Sequence, residues 1–188
     1  MTELEQLAAQ VRELADRQAI RDVVVRYSRG VDRLDRQMLL SAYHPDAIDD
    51  HGMFVGSPEE FADYFFDYHG RFQHTTQHIV TNQYCELDGD VAHTETYWLF
   101  AAMNTQGAPL SLAGGRYVDR MERRAGRWAI AQRKCIIDWH GQPGDSGLDH
   151  AAMQALQSAG LVRRDRGDPS YERPLAIDPK RIAAKIRL

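Results

Sequence analysis

Residues 26–35 have the sequence Arg26-Tyr27-Ser28-Arg29-Gly30-Val31-Asp32-Arg33-Leu34-Asp35, which places a carboxylate in an otherwise apolar row. Counted back from Asp32, Tyr27 and Val24 lie on neighbouring turns of a helix, because positions three to five apart share one face. Taking a charged carboxylate out of water is costly, so we expect a cation or an imidazole opposite Asp32. The best candidate is His78, which would then act as an aspartate-oriented general base in an apolar cavity.

Hydrophobic periodicity predicts three helices at the start of the chain. Apolar residues at three- and four-residue steps predict a first helix over residues 3–15. A second helix, capped by Asp16, is predicted to run to about residue 34. Asp35 can cap a third, short helix, which ends before Pro45 because the residue preceding a proline is pushed out of the helical conformation.

A further helix is predicted after a small hairpin at residues 46–56. Its start, Ser57-Pro58-Glu59-Glu60, combines a capping serine, a proline in the first turn and acids at the positive end of the helix dipole. Its inward face carries four aromatic residues: Phe61, Tyr64, Phe65 and Tyr68. Such rings more often fill a core than line a ligand cavity, and both interpretations stay open for Phe65, our candidate substrate contact on this helix.

After Gly70 the hydrophobic period becomes that of strands. Four long strands are predicted, at residues 76–87, 90–104, 109–124 and 127–140. Turn residues separate them, as in the consecutive hairpins of an antiparallel meander. Long, twisted strands preceded by helices predict an α+β fold, in which a curved antiparallel sheet wraps around the N-terminal helices.

Composition and length limit the possible functions. The 188 residues suit one main domain, over residues 1–140, and a C-terminal extension over residues 141–188. The net charge is −4 and the basic residues are dispersed, so we expect neither nucleic acid nor a membrane as a partner. Cys85 and Cys135 lack metal-ligand spacing, no signal peptide is recognisable, and both observations favour a cytoplasmic protein. No glycine-rich nucleotide motif and no helical pair of metal-binding histidines occurs, so we expect no cofactor and no metal.

The extension is too poor in apolar residues to form a core of its own. It contains one predicted helix, over Leu148–Gln157, followed by charged and turn-forming residues. We expect it to pack on the main domain or on a neighbouring subunit, anchored by Tyr171, Leu175 and Ile177.

Several segments resemble the SnoaL-like group of the nuclear transport factor 2 superfamily. The segments that carry the resemblance are the helix with Ile20, Tyr27 and Asp32, the run His44-Pro45-Asp46-Ala47, Thr76-Gln77-His78 with Asn82, and Gly126-Arg127-Trp128-Ala129-Ile130 with Arg133. The resemblance covers roughly residues 10–140 and implies a cone-shaped α+β barrel. By similarity to a hexachlorocyclohexane dehydrochlorinase and a bile acid dehydratase of the group, it also implies a catalytic dyad of Asp32 and His78, with Tyr27 and Arg133 in the pocket.

The chemistry of these four side chains predicts a cofactor-independent lyase. Asp32 would fix the tautomer of His78, Arg133 would hold a departing oxygen, and Tyr27 would donate a proton to it. The reaction would be a dehydration, a dehydrohalogenation or a retro-aldol cleavage of an apolar, hydroxylated substrate of aromatic or steroid-like type. Further candidate contacts to this small-molecule substrate are Trp98, Trp139 and His51.

Alternatives stay open at this point. The Asp32–His78 pair could be structural in a non-catalytic ligand-binding or assembly module, and an isomerase is a third possibility. Strand alternation points Trp128 and Arg133 to opposite faces, so Arg133 in the pocket requires Trp128 elsewhere or a bulge between them. Because the exposed face of such a sheet commonly pairs, we expect a homodimer or homotrimer.

Overall fold

Helices occupy the first part of the chain in the computed structural model, which describes residues 1–142, 163–167 and 171. Helix α1 spans Glu3–Asp32, α2 spans Arg36–Leu40 and α3 spans Pro58–Phe72. The predicted caps of the later two are confirmed: Asp35 Oδ1 accepts from the Met38 backbone N–H at 3.0 Å, and Ser57 forms a capping box with Glu60.

The predicted break at Asp16 is wrong, because α1 continues through that residue without interruption. The Asp16 carboxylate instead accepts hydrogen bonds from Arg123 at 2.9 Å and from Trp128 Nε1 at 2.8 Å. A side chain engaged with the sheet has no need to cap a helix, and these contacts fix the middle of α1 against strands near the end of the domain.

Six strands form one curved sheet. They are β1 (Tyr43–Asp50), β2 (Val55–Gly56), β3 (Gln73–Asp88), β4 (Val91–Asn104), β5 (Leu110–Arg124) and β6 (Arg127–Gly141). The spatial order is β2-β1-β6-β5-β4-β3, so β3 to β6 form the predicted antiparallel meander. The α+β prediction is confirmed. One detail differs, since β1 pairs in parallel with β6, which makes the sheet mixed, and β2 and β3 remain as open edges.

A β-bulge in β6 decides which side chains face the core. Arg120 pairs with Gln132 and Met121 pairs with Ile130, so Ala131 is an extra residue between them. Because of the extra residue, side chains on the two sides of the bulge alternate out of step with each other. Trp128 and Arg133, which regular alternation would point to opposite faces, are therefore both buried. A bulge between Trp128 and Arg133, one of the two alternatives that the sequence analysis gave, is therefore present.

The core lies between the concave face of the sheet and the helices. Its largest buried apolar side chains come from α1, α3 and the central strands, and include Ile20, Tyr27, Phe61, Tyr117 and Ile130. Within the described ranges, no helix is both long and apolar enough to cross a membrane.

The described part of the C-terminal extension contacts the main domain. Arg164 donates to the carbonyl oxygens of His69 and Gln73, at 2.5 and 2.8 Å, and the Tyr171 hydroxyl donates to Asp35 Oδ2 at 3.0 Å. The predicted helix over Leu148–Gln157 and the anchors Leu175 and Ile177 lie outside the described residues.

Candidate active site

An aromatic cavity of about 230 Å³ opens between α1, α3 and the concave face of the sheet. The rings of Tyr27, Phe61, Phe65, Trp98, Phe100 and Tyr117 form most of its wall. Three imidazoles, those of His51, His69 and His78, also line it. Histidines in an apolar wall can exchange protons with a bound molecule that water does not reach freely, so the cavity is the candidate active site.

Asp32 and His78 form the pair that the sequence predicted. Asp32 is the last residue of α1 and His78 lies on β3. Asp32 Oδ1 is 2.6 Å from His78 Nδ1, and Asp32 Oδ2 accepts the backbone N–H of His78 at 2.9 Å. Both carboxylate oxygens of Asp32 therefore bind His78, and these two contacts fix the orientation of its ring. No described residue binds Nε2 of His78, so this nitrogen is available for chemistry.

His69 is the imidazole next to His78, with ring centroids 6.0 Å apart. Burial, followed by the neighbouring charge of His78, lowers the pKa of His69 to about 4. Its Nδ1 lies 2.5 Å from Gln73 Oε1. His69 is therefore uncharged near neutral pH, and it contributes a neutral wall beside the Asp32–His78 pair.

Arg133 does not line the cavity but lies beneath it. Its fully buried guanidinium donates two hydrogen bonds to Asp119, both at 2.7 Å, and lies over the rings of Tyr27 and Tyr117 at 4.2 and 4.1 Å. Burial alone would lower the pKa of Arg133, but the Asp119 carboxylate outweighs it and raises the pKa well above its ordinary value. Arg133 is thus a permanent positive charge that acts on the cavity through the two tyrosine rings.

Tyr27 lines the cavity, and its hydroxyl is 3.2 Å from Nε2 of His51. Burial, together with the neighbouring Tyr117, raises the pKa of Tyr27 well above its ordinary value, so the hydroxyl keeps its proton. Tyr27 therefore has the protonation state of a donor, and its hydroxyl is linked to a histidine.

That histidine belongs to a second Asp–His pair, which the sequence analysis missed. His51 Nδ1 hydrogen-bonds Asp49 Oδ1, and the Tyr43 hydroxyl donates to Asp49 Oδ2. The Asp49 side chain is fully buried. Alternation along β1 could have revealed it, because Asp49 is two residues from Ala47 and two from His51, so all three share a face.

Two of the remaining candidate contacts line the cavity and one does not. Trp98 and Phe65 line the cavity as expected, and Nε1 of Trp98 has no hydrogen-bond partner among the described residues. Trp139 is not among the cavity-lining residues, and its ring is 49% exposed and packs over Gly114. A second irregularity in β6, between Ile137 and Trp139, accounts for this position.

Among the residues that the structure describes, no group of three or more histidine, cysteine, aspartate or glutamate side chains could hold a metal ion. The acid–base groups of the cavity include two Asp–His pairs, the neutral His69 and the protonated Tyr27.

The fold and the site define a small α+β domain that encloses an aromatic, acid–base cavity between helices and a curved sheet. Residues 12–134 match the model of the SnoaL-like domain family, and the chain belongs to this family. No curated protein matches the sequence.

Solved structures share the fold. A hexachlorocyclohexane dehydrochlorinase from Novosphingobium barchaimii is 23% identical, with a TM-score of 0.67 over 74% of this chain and 96% of that one. A candidate scytalone dehydratase from Novosphingobium aromaticivorans is 17% identical, with a TM-score of 0.63 over 73% of this chain and 97% of that one. A Mycobacterium tuberculosis protein of unknown function is 21% identical, with a TM-score of 0.58 over 73% and 77% of the two chains. At these identities the likeness concerns the fold alone.

Proposed function

We propose that the protein is a cofactor-independent lyase in which the Asp32–His78 pair is the general base. The observation that carries the proposal is the use of both Asp32 oxygens by His78 at the wall of an aromatic cavity. A carboxylate that binds Nδ1 keeps the proton on that nitrogen, leaves Nε2 as the basic atom and stabilises the imidazolium that forms.

The reaction that this arrangement supports begins with proton removal. His78 Nε2 takes a proton from a carbon next to a carbonyl group, and the bond to a leaving group on the neighbouring carbon breaks. When the proton comes from a hydroxyl group instead, a carbon–carbon bond breaks in a retro-aldol cleavage. A positioned base of this kind contributes roughly a 10²- to 10⁴-fold rate increase.

The size and wall of the cavity narrow the substrate class. A volume of about 230 Å³ is below the ~300–1,000 Å³ that is usual for sites of drug-sized ligands. We therefore favour a substrate with a single aromatic ring over a steroid-like one. The unpaired Nε1–H of Trp98 supports a carbonyl oxygen in the substrate, because a buried donor without a partner gains a hydrogen bond when such a group binds.

The proposal is tested by incubating single-ring β-hydroxy and β-halo ketones with the wild type, His78→Gln and Asp32→Asn, and identifying products by mass spectrometry. We expect loss of water, of hydrogen halide or of a carbonyl fragment with the wild type. We expect a rate at least 10²-fold lower in both variants, because each removes the oriented base.

Folding and binding serve as the controls for this experiment. Both variants should keep the thermal unfolding midpoint within a few degrees and should still bind the product. If no compound is turned over while the wild type and His78→Gln bind the same compounds equally, the pair is structural and the protein is a binding module.

A further inference from the structure

The second Asp–His pair faces the same cavity as the first. His51 lines the cavity and is held by Asp49 through Nδ1, and its Nε2 lies 3.2 Å from the Tyr27 hydroxyl. Phe61 and Phe65 pack against the His51 ring, with centroids at 4.7 and 5.2 Å, so the aromatic wall limits water around it. A general base already exists at His78, and a second oriented imidazole is not needed to remove the same proton.

Buried charged side chains lie next to His51. Asp49, Arg133 and Asp119 are register neighbours on β1, β6 and β5, and all three side chains are fully buried. The row thus holds two carboxylates and one guanidinium, which binds Asp119. The other titratable groups that face His51 are the hydroxyls of Tyr27, Tyr43 and Tyr117 and the thiol of Cys135, all neutral because burial raises their pKa values. The carboxylate that Arg133 does not bind is that of Asp49, which instead holds Nδ1 of His51, so a proton on the His51 ring has a buried partner.

We propose that His51 is the acid that protonates the leaving group, so that this site eliminates water in preference to halide. The inference rests on the proposed lyase function and adds the substrate class to it. A halide ion leaves without a proton, whereas a hydroxyl group must be protonated as its bond to carbon breaks. A second oriented imidazole therefore has a chemical role only when the leaving group is a hydroxyl.

The two histidines together account for the proton that is removed and the proton that is donated. His78 Nε2 takes the proton from the carbon next to the carbonyl group, and that electron pair becomes the new carbon–carbon double bond. The carbon–oxygen bond breaks with its electrons on oxygen, which takes a proton from His51 Nε2 directly or through the Tyr27 hydroxyl. Water leaves, His78 ends protonated and His51 neutral, and proton exchange with solvent restores both. Asp49 then holds a neutral imidazole by the same Nδ1–H hydrogen bond.

Two probe substrates that give the same product can separate the role of His51 from that of His78. The aldol adduct of benzaldehyde and acetone loses water to form benzylideneacetone, and its β-chloro analogue loses hydrogen chloride to form the same ketone. Both probes lose the same proton, and only the leaving group differs. Product is followed by its ultraviolet absorbance, with the spontaneous elimination of the chloride subtracted.

The measured quantity is kcat/KM for the alcohol divided by kcat/KM for the chloride. We expect His51→Gln to lower this ratio about 10²-fold, because glutamine fills the site but cannot transfer a proton. Tyr27→Phe should lower the ratio less than His51→Gln. His78→Gln should lower both rates and leave the ratio nearly unchanged.

The outcomes distinguish this inference from the function it rests on. If His51→Gln lowers kcat/KM equally for both probes, His51 is a structural residue and the inference is overturned. A wild type that turns over only the chloride would overturn it as well. The proposed lyase function survives both results. Turnover of neither probe contradicts the lyase itself.

A second measurement does not depend on turnover. Histidine nitrogen-15 spectra of the whole protein, assigned by the signals missing in His51→Gln, should show both ring nitrogens of His51 protonated near neutral pH. A neutral His51 ring would overturn the inference.

Discussion

His69 shows at the scale of one residue how burial links the cavity to stability. Its pKa falls from the ordinary 6.5 to about 4 because the ring is buried, so the folded protein resists protonating it. Between these pH values the unfolded chain binds a proton that the folded chain does not, and stability therefore decreases as pH falls from 6.5 to about 4. The shift corresponds to roughly 3 kcal/mol. We predict that His69→Gln removes most of this decrease, as measured by urea unfolding at pH 7 and pH 4.5.

The control for this prediction is His74→Gln, whose side chain is exposed and which should leave the pH dependence as in the wild type. If His69→Gln and the wild type lose the same stability between the two pH values, another group is responsible.

At the scale of the element, the crossing of α1 and α2 depends on a glycine. A Cβ on Gly30 would lie 2.6 Å from the backbone nitrogen of Leu39 and 2.8 Å from its Cα. Backbone atoms cannot move aside as a flexible side chain can, so the two helices would have to separate. We predict that Gly30→Ala lowers the free energy of unfolding by about 1–3 kcal/mol, although alanine favours a helix over glycine by about 1 kcal/mol. Denaturant unfolding measures the change.

Gly70 is the matched control, because it is also in a helix and a Cβ there meets nothing within 4 Å. Gly70→Ala should therefore raise the free energy of unfolding by about 0.5–1 kcal/mol. If both substitutions stabilise the protein, the close contact of α1 with α2 is not rigid.

The elements also show what the sequence can and cannot specify. Periodicity and caps predicted the helices after α1 and the four long strands, because these signals are local. The continuity of α1 was not predicted, since Asp16 is engaged by Arg123 and Trp128, which are more than a hundred residues away in sequence. The bulge at Ala131 leaves no local signal either, and it alone decides where Arg133 points.

The same distinction between local and long-range signals applies to the candidate site. Asp32 and His78 were paired correctly because a carboxylate on an apolar stripe needs a partner, and their hydrogen bond spans 46 residues of sequence. Asp49 was missed because an acidic residue in a short strand is ordinarily exposed. Asp49 lies beside Arg133 in the parallel pairing of β1 with β6, and this pairing was not predicted.

At the scale of the whole molecule, two apolar surfaces lie uncovered among the described residues. One is the predicted stripe of α1, where Leu4, Leu7, Val11 and Leu14 are all more than half exposed. The other is the outer face of the sheet, where Ile79, Leu99 and Trp139 are between 42 and 49% exposed. Leu99 pairs with Ile79 on one side and Gly114 on the other, and Gly114 pairs with Trp139, so these residues form one row across four strands. Contiguous apolar surface of this kind marks an interaction site.

We predict that copies of the chain associate through the outer face of the sheet. An apolar row of this kind suits a two-fold symmetric interface, since each copy can bury its own row against that of its partner. Leu99→Glu places an unpaired charge in the middle of that row, and burying it costs several kcal/mol. Sedimentation at micromolar concentration should show a dimer for the wild type and a monomer for Leu99→Glu. Leu7→Glu, the matched change on α1, should leave the assembly intact, whereas dissociation by Leu7→Glu alone would place the interface on the helix.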